Sequence, residues 1–344
     1  MTGALSFWSP ADGAAPFELP ERARLFALNA TADLGAAIAG ILGRPLTRHE
    51  ERDFEDGEHK ARSLESVGEA DCYVIQSLHG GPDQSVNDKL CRLLFFIGAL
   101  KDAGAARVTA VTPYLCYARK DRRTKPFDPV TTRYVAALFE AIGADRLVAL
   151  EVHNPAAFEN AFRRRAVTLP AASLFVDLAL RYASEPLCVL SPDPGGVKRA
   201  ELFRETFEAR VGRPIGKAFA DKHRSAGVVT GDLLVGDVAG ATVLLVDDLI
   251  STGGTLARAA RAARQAGARR VIALAAHGLF MPGAAEALDD AAIERVVVTD
   301  AVPPFRLGPS GLAGKLEILP SAPLFAAAIA RLAVGAPLTD LLAY

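Results

Sequence analysis

At 344 residues the chain is long enough for two domains, each with a core of its own. Half of it is hydrophobic and 23% charged, and 39 Lys plus Arg against 40 Asp plus Glu leave no overall field to draw in nucleic acid or a membrane surface. A polyanionic ligand must therefore be caught by local basic clusters. The cysteines Cys72, Cys91, Cys116 and Cys188 lack the paired spacing of a zinc or redox site and read as buried filler in a reducing compartment. The first residues show no basic start followed by an apolar run, and no uncharged stretch suits a bilayer; 93–100 fits part of a buried helix. The expectation is a soluble, cytoplasmic protein.

Short β-branched runs alternate with longer helical patterns, the rhythm of parallel α/β layers. In chain order, Arg52-Asp53-Phe54-Glu55-Asp56-Gly57-Glu58 comes first, with a turn at Asp56-Gly57. A strand is predicted at 72–77 and a helix at 86–103, closed by Gly104. The next strand, 107–112, leads into Tyr117-Ala118-Arg119-Lys120-Asp121-Arg122-Arg123. This basic cluster is either a solvated turn or a ligand site, since α/β folds bind ligands at the carboxyl ends of strands. A helix at 130–142, closed by Gly143, precedes a strand at 146–151 that ends in Glu151-Val152-His153. The joint between domains is expected near 163–172.

Beyond it a strand at 187–191 meets a helix at 197–211 through Ser191-Pro192-Asp193-Pro194-Gly195-Gly196, where Asp193 suits a helix N-cap. A polar stretch containing Asp221-Lys222-His223-Arg224 follows. A strand at 242–247 then enters Asp247-Asp248-Leu249-Ile250-Ser251-Thr252-Gly253-Gly254-Thr255, the opening of a helix at 255–266. Gly267 closes that helix, and strands follow at 271–276 and 295–299. Around 308–316 the glycines and Lys315 miss the nucleotide P-loop spacing and lack its final Ser or Thr. A last apolar helix at 323–332 is free to fold back on either domain.

The Asp247–Thr255 string carries the sharpest chemistry. Backbone N–H groups of a glycine turn at a helix start form an anion cradle, and Ser251, Thr252 and Thr255 add hydroxyl donors while Gly253 and Gly254 admit a phosphate closely. Asp247 and Asp248 cannot bind phosphate directly; they suit sugar hydroxyls or a metal shell. An ordinary capped helix after a strand would not need two adjacent acids at the buried end.

These residues resemble the phosphoribosyl-binding loop shared by phosphoribosyltransferases and phosphoribosyl pyrophosphate synthetases. The other segments point to the synthetases. Ser191 to Ala200 is similar to their Ser-Pro-Asp-x-Gly-Gly-x-x-Arg-Ala signature without mismatch. The 117–122 segment looks like their ATP-contacting Tyr-Ala-Arg-Gln-Asp-Arg, with Lys120 in place of glutamine. Glu151-Val152-His153 stands where they have Asp-Leu-His, and Asp221-Lys222-His223-Arg224 where they have Asp-Lys-Arg-Arg. Residues 52–58 resemble their arm Arg-Phe-Ser-Asp-Gly-Glu, with Arg52 one residue out of register.

The resemblance spans roughly 25–342, leaving 1–24 as an unexplained extension. It implies two doubly wound, phosphoribosyltransferase-like α/β domains with mainly parallel sheets, at 1–168 and 169–344. It implies that ATP and ribose 5-phosphate give AMP and 5-phosphoribosyl 1-pyrophosphate. Lys222 and Arg224 would then be catalytic. Phe54, Asp56, Gly57, Glu58, Arg119 and Lys120 would bind ATP, and Asp247, Asp248, Ser251, Thr252, Gly253, Gly254 and Thr255 ribose 5-phosphate. His153 and Asp193 would serve Mg2+. In the family the 52–58 arm reaches a neighbouring subunit's nucleotide, which implies a homo-oligomer, a dimer or a dimer-based hexamer. The competing readings are a phosphoribosyltransferase and a non-catalytic regulatory homologue.

Overall fold

The structure is a computed structural model that describes residues 19–225, 228–308 and 311–342. The chain divides into two compact units. The first runs to Pro170 and includes the segment from Ser321 to Leu342; the second is Ala171–Pro320. The end of the chain thus leaves the 169–344 block and joins the first unit.

The first unit contains β1 (Ala23–Ala27), α1 (Ala32–Ile41), a hairpin of β2 (His49–Asp53) and β3 (His59–Ser63), and β4 (Asp71–Ile75). It continues through α2 (Val86–Asp102), β5 (Arg107–Thr112), α3 (Thr131–Ala141), β6 (Arg146–Leu150), α4 (Pro155–Ala161) and β7 (Arg165–Leu169). Five parallel strands lie in the order β1-β4-β5-β6-β7. The middle strands are mainly apolar and almost wholly buried because helices cover both faces of the sheet. On one face Phe26, Val74, Ala110 and Leu147 meet Leu93 and Ile97 of α2, Phe139 of α3 and Phe158 of α4. On the other, α1 packs against the C-terminal helix Ala322–Val334. A Cβ on Gly35 of α1 would come 2.1 Å from that of Ala27, so only glycine lets α1 lie this close. Arg146 Nη1 donates to Leu332 O at 3.2 Å and fastens the last helix to β6.

The second unit contains α5 (Ala172–Ala179), β8 (Leu187–Ser191), α6 (Val197–Val211), β9 (Gly216–Ser225), β10 (Val228–Val235) and β11 (Thr242–Ile250). Then come α7 (Gly254–Gln265), β12 (Arg270–Gly278), α8 (Ala284–Leu288), β13 (Arg295–Thr299) and β14 (Leu316–Leu319). The sheet order is β10-β9-β8-β11-β12-β13-β14, and only β10 is antiparallel to its neighbour. From β8 the sheet grows one way through β9 and the other through β11. This reversal is the switch point at whose carboxyl edge open α/β sheets bind ligands.

Several boundaries differ from the sequence reading. The strand predicted at 242–247 runs to Ile250, so Asp247 and Asp248 lie within it. The strand predicted at 146–151 stops at Leu150, because Glu151 takes a left-handed φ of 40°. Cys72, Cys116 and Cys188 are buried, and burial pushes their thiols up to about 12, 12 and 11. Cys91, expected to be filler, is exposed. Lys315 Nζ donates to Asp289 O at 2.9 Å and Asp290 O at 3.1 Å, a structural tie rather than a phosphate contact.

Candidate active site

In the second unit β8 and β11 run side by side, with Leu190 opposite Leu245, and both open at the same edge. After Ser191 the chain makes one 3₁₀ turn, Pro194–Gly196, capped by Asp193, whose Oδ1 accepts from Gly196 N at 3.1 Å. Ser191 Oγ donates to Asp193 O at 2.7 Å and fixes the corner. A Cβ on Gly196 would lie 2.8 Å from Ser191 Oγ and 3.8 Å from Arg199 Nη1. The bare turn lets Arg199, in the first turn of α6, reach β11.

There it meets both acids. Arg199 Nη1 lies 3.8 Å from Asp247 Oδ1 and 3.7 Å from Asp248 Oδ1, and Asp248 N donates to Asp247 Oδ1 at 2.9 Å. Asp248 is 4% exposed. Burial, then the neighbouring charge of Asp248, pushes the Asp247 carboxyl up to about 8, and Arg199 pulls it back. Arg199 stands inside the Ser191–Ala200 string, but nothing in the sequence alone marks its role.

The turn beyond is held from behind: Ile250 O accepts from Leu279 N at 2.9 Å, and Ser251 O from Met281 N at 2.9 Å. Gly253 precedes α7 at φ 74°, a conformation that favours glycine, and its Cβ would sit 2.8 Å from Leu288 Cγ. Among the described residues no side chain caps α7, whose first N–H groups have no partner within the helix. Thr252 is exposed, and Ser251, Gly254 and Thr255 are half-buried around the same opening.

The backbone of β9 passes this edge too. Ser191, the last residue of β8, pairs with Phe219, and β9 continues to Ser225. At about 3.3 Å per residue, Lys222 lies about 10 Å beyond that last pairing, opposite Asp232 of β10. Arg224 follows opposite Val229. The side chains of Lys222 and Arg224 lie outside the described ones.

The ATP-assigned residues belong to the first unit. Arg119 is exposed in the loop after β5. Lys120 is committed within the loop: its Nζ lies 2.7 Å from Asp128 Oδ2, which also takes Thr124 Oγ1 at 2.8 Å and Lys125 N at 3.0 Å. Led by the Lys120 bond, these donors hold the Asp128 carboxyl far below the carboxylate range. His153 is exposed at the end of β6, just after Glu151. Asn154 Nδ2 donates to Asp121 Oδ2 at 2.6 Å and joins the His153 turn to the Arg119 loop.

Phe54, Asp56, Gly57 and Glu58 form the tip of the β2–β3 hairpin. Phe54 N donates to Glu58 O at 2.8 Å, and Glu58 N to Asp56 Oδ1 at 3.0 Å. Arg52 lies over the Phe54 ring at 5.2 Å. Among the described residues, no hydrogen bond or ion pair links this tip to the Arg119 or His153 segment. His153 and Asp193, both assigned to metal, sit in different units, and the described residues contain no group of three or more metal-type side chains.

Residues 23–143 match the family described as the N-terminal domain of ribose phosphate pyrophosphokinase, and 229–339 the phosphoribosyl synthetase-associated domain. The chain is 38% identical over 322 residues to the ribose-phosphate pyrophosphokinase of Caldanaerobacter subterraneus subsp. tengcongensis, covering 92% of this chain and 97% of that protein. It is 36% identical over 322 residues to the enzyme of that name from Corynebacterium efficiens, covering 92% and 94%. The crystal structure of phosphoribosylpyrophosphate synthetase from Mycobacterium smegmatis aligns with a TM-score of 0.80 at 34% identity, covering 91% of this chain and 99% of that one.

Proposed function

This chain belongs to the ribose-phosphate pyrophosphokinase family, and from that premise we propose which of its residues carry the reaction. The enzyme moves a diphosphate from ATP to the carbon-1 oxygen of ribose 5-phosphate, releasing AMP and 5-phosphoribosyl 1-pyrophosphate. Such transfers are catalysed mainly by positioning and charge neutralisation.

The second unit takes the sugar. N–H groups of the 251–255 turn hold the 5-phosphate, helped by Ser251, Thr252 and Thr255, and Asp247 and Asp248 accept from ribose hydroxyls. What carries this reading is Arg199 set against both acids beside a glycine turn, a cation that offsets part of the burial and mutual repulsion opposing ionisation of the carboxylate pair. Lys222 and Arg224, on the strand that overruns this edge, neutralise charge developing on the transferred diphosphate.

The first unit takes the nucleotide. Arg119 meets ATP, and Lys120 keeps the loop in shape through Asp128. Phe54 stacks on the adenine, with Asp56 and Glu58 accepting from its amino group. The tip that bears them serves a neighbouring subunit in a dimer-based homo-oligomer, and the enzyme works in the cytoplasm; no helix among the described residues is long and apolar enough to cross a membrane.

The donor set suits Mg2+, which keeps several waters and binds through one or two protein groups plus substrate phosphates. Asp193 offers its second carboxylate oxygen and His153 an exposed imidazole. An ion held at either residue would neutralise negative charge on the polyphosphate. The reading is tested by AMP release from ATP that requires ribose 5-phosphate and no nucleobase. A phosphoribosyltransferase would release none, nor would a regulatory homologue.

A further inference from the structure

Arg92 sits on α2 with 7% of its side chain exposed, and its guanidinium faces the β2–β3 hairpin. Nη1 lies 3.6 Å from Glu51 Oε2, and Nη2 bonds to Asp53 Oδ1. Residues two apart on a strand share a face, so one planar fork grips β2 at two points. Glu51 is the inner anchor: 3% of its side chain is exposed, and its Oε1 accepts from Asn29 N at 2.6 Å and pairs with His49 Nε2 at 3.1 Å. Asp53 is the outer one, the last β2 residue before the turn, paired across the hairpin with His59.

The other strand is gripped as well. One helical turn beyond Arg92, Phe95 stacks on the His59 ring with centroids 5.5 Å apart and planes at 19°. The two α2 side chains thus seize the final pair of the hairpin, Asp53 and His59, from which 54–58 projects. On the opposite face Arg52 covers Phe54.

We propose that Arg92, acting through Asp53, is a positioning residue for the nucleotide: it sets the direction in which Phe54, Asp56 and Glu58 leave the hairpin. This rests on the reading that those tip residues contact ATP. A lysine could not do the same, since an ammonium is a single point where the guanidinium fork spans both carboxylates.

The experiment uses the full-length enzyme and steady-state AMP release. Arg92→Ala would strand Glu51 as a buried charge and invites unfolding, so the informative change is Asp53→Asn, at a side chain 69% exposed. It should raise the KM for ATP by about 10-fold, in the range expected for a misdirected substrate group. KM for ribose 5-phosphate and thermal stability should stay near wild type. Asp53→Glu should restore most of the ATP affinity, and Arg92→Lys should mimic Asp53→Asn. Phe54→Ala is the control for the underlying reading. If it raises the ATP KM while Asp53→Asn leaves it unchanged, the clamp does not position the tip and the proposal falls alone. If Phe54→Ala itself leaves ATP binding intact, the nucleotide role of the tip falls and the proposal with it. Equal weakening of both substrates by Asp53→Asn would also overturn it, since that marks general destabilisation.

Discussion

Replacing Arg199 by Gln asks whether the adjacent acids work as an ionised pair. The guanidinium lies 3.8 and 3.7 Å from their carboxylates. Two unit charges about 4 Å apart attract by about 4 kcal/mol at an effective dielectric of about 20. Residual exposure of Asp247 and relaxation around the site reduce that figure. A cation at this range commonly lowers a carboxyl pKa by about 1–3 units, equivalent to roughly 1.4–4 kcal/mol. Loss of Arg199 should therefore raise the apparent pKa of the pair by about 1–2 units from a position that burial has already raised. On the proposed reading the ionised form binds the ribose hydroxyls, so the acidic limb of kcat/KM for ribose 5-phosphate should move to higher pH. Below the limb the variant should lose about 10- to 100-fold, recovering as the medium becomes alkaline, while kcat/KM for ATP keeps its profile. Arg199→Lys should shift the limb less. Initial rates of AMP release across about pH 6 to 10 decide it. An unmoved limb in Arg199→Gln, or a loss uniform over pH, would refute the reasoning.

Three further outcomes are expected. Lys222→Ala should lower kcat by about 10²- to 10³-fold with little change in either KM, the usual effect of removing a donor aimed at transition-state charge; an intact turnover number would reduce Lys222 to a surface residue. Gly253→Ala should destabilise the fold and weaken ribose 5-phosphate, because the new methyl meets Leu288 at 2.8 Å in a left-handed backbone; a variant with wild-type Tm and sugar affinity would contradict the cradle. Asp247→Asn should weaken ribose 5-phosphate yet raise Tm at alkaline pH. The native carboxyl holds its proton up to about 8, above its unfolded value, so ionising it costs stability as pH rises through that window. A Tm difference from wild type that does not shrink on acidification would show that Asp247 is not the group responsible.

Several strands buried on both faces are legible in sequence because they do not alternate: Asp71–Ile75, Arg107–Thr112 and Leu187–Ser191 are short, mainly apolar runs between helical patterns. β2 and β3 escape detection because they are rich in charged residues and histidine, and a hairpin wetted on much of its surface shows no period; β1, β7, β9, β10 and β14 are likewise absent from the sequence reading. The C-terminal helix announces burial through its nearly continuous apolar sequence, but which unit it covers depends on packing against α1. The glycine turn and its two acids could be named from their string. Arg199 could be seen but not assigned, because its partners meet it only when β8 pairs with β11. Lys120 illustrates the converse. It reads as a free cation for a nucleotide, whereas Asp128, eight residues on, gathers it with two neighbouring donors into a closed loop.

The central claim is direct diphosphoryl transfer, and phosphorus NMR of the running reaction tests it most directly. With ATP, Mg2+ and ribose 5-phosphate as the only reactants, the account predicts AMP and a sugar diphosphate ester growing in equal amounts, with no ADP at any time. ADP appearing with a singly phosphorylated carbon-1 product, or no turnover by a folded enzyme, would contradict it.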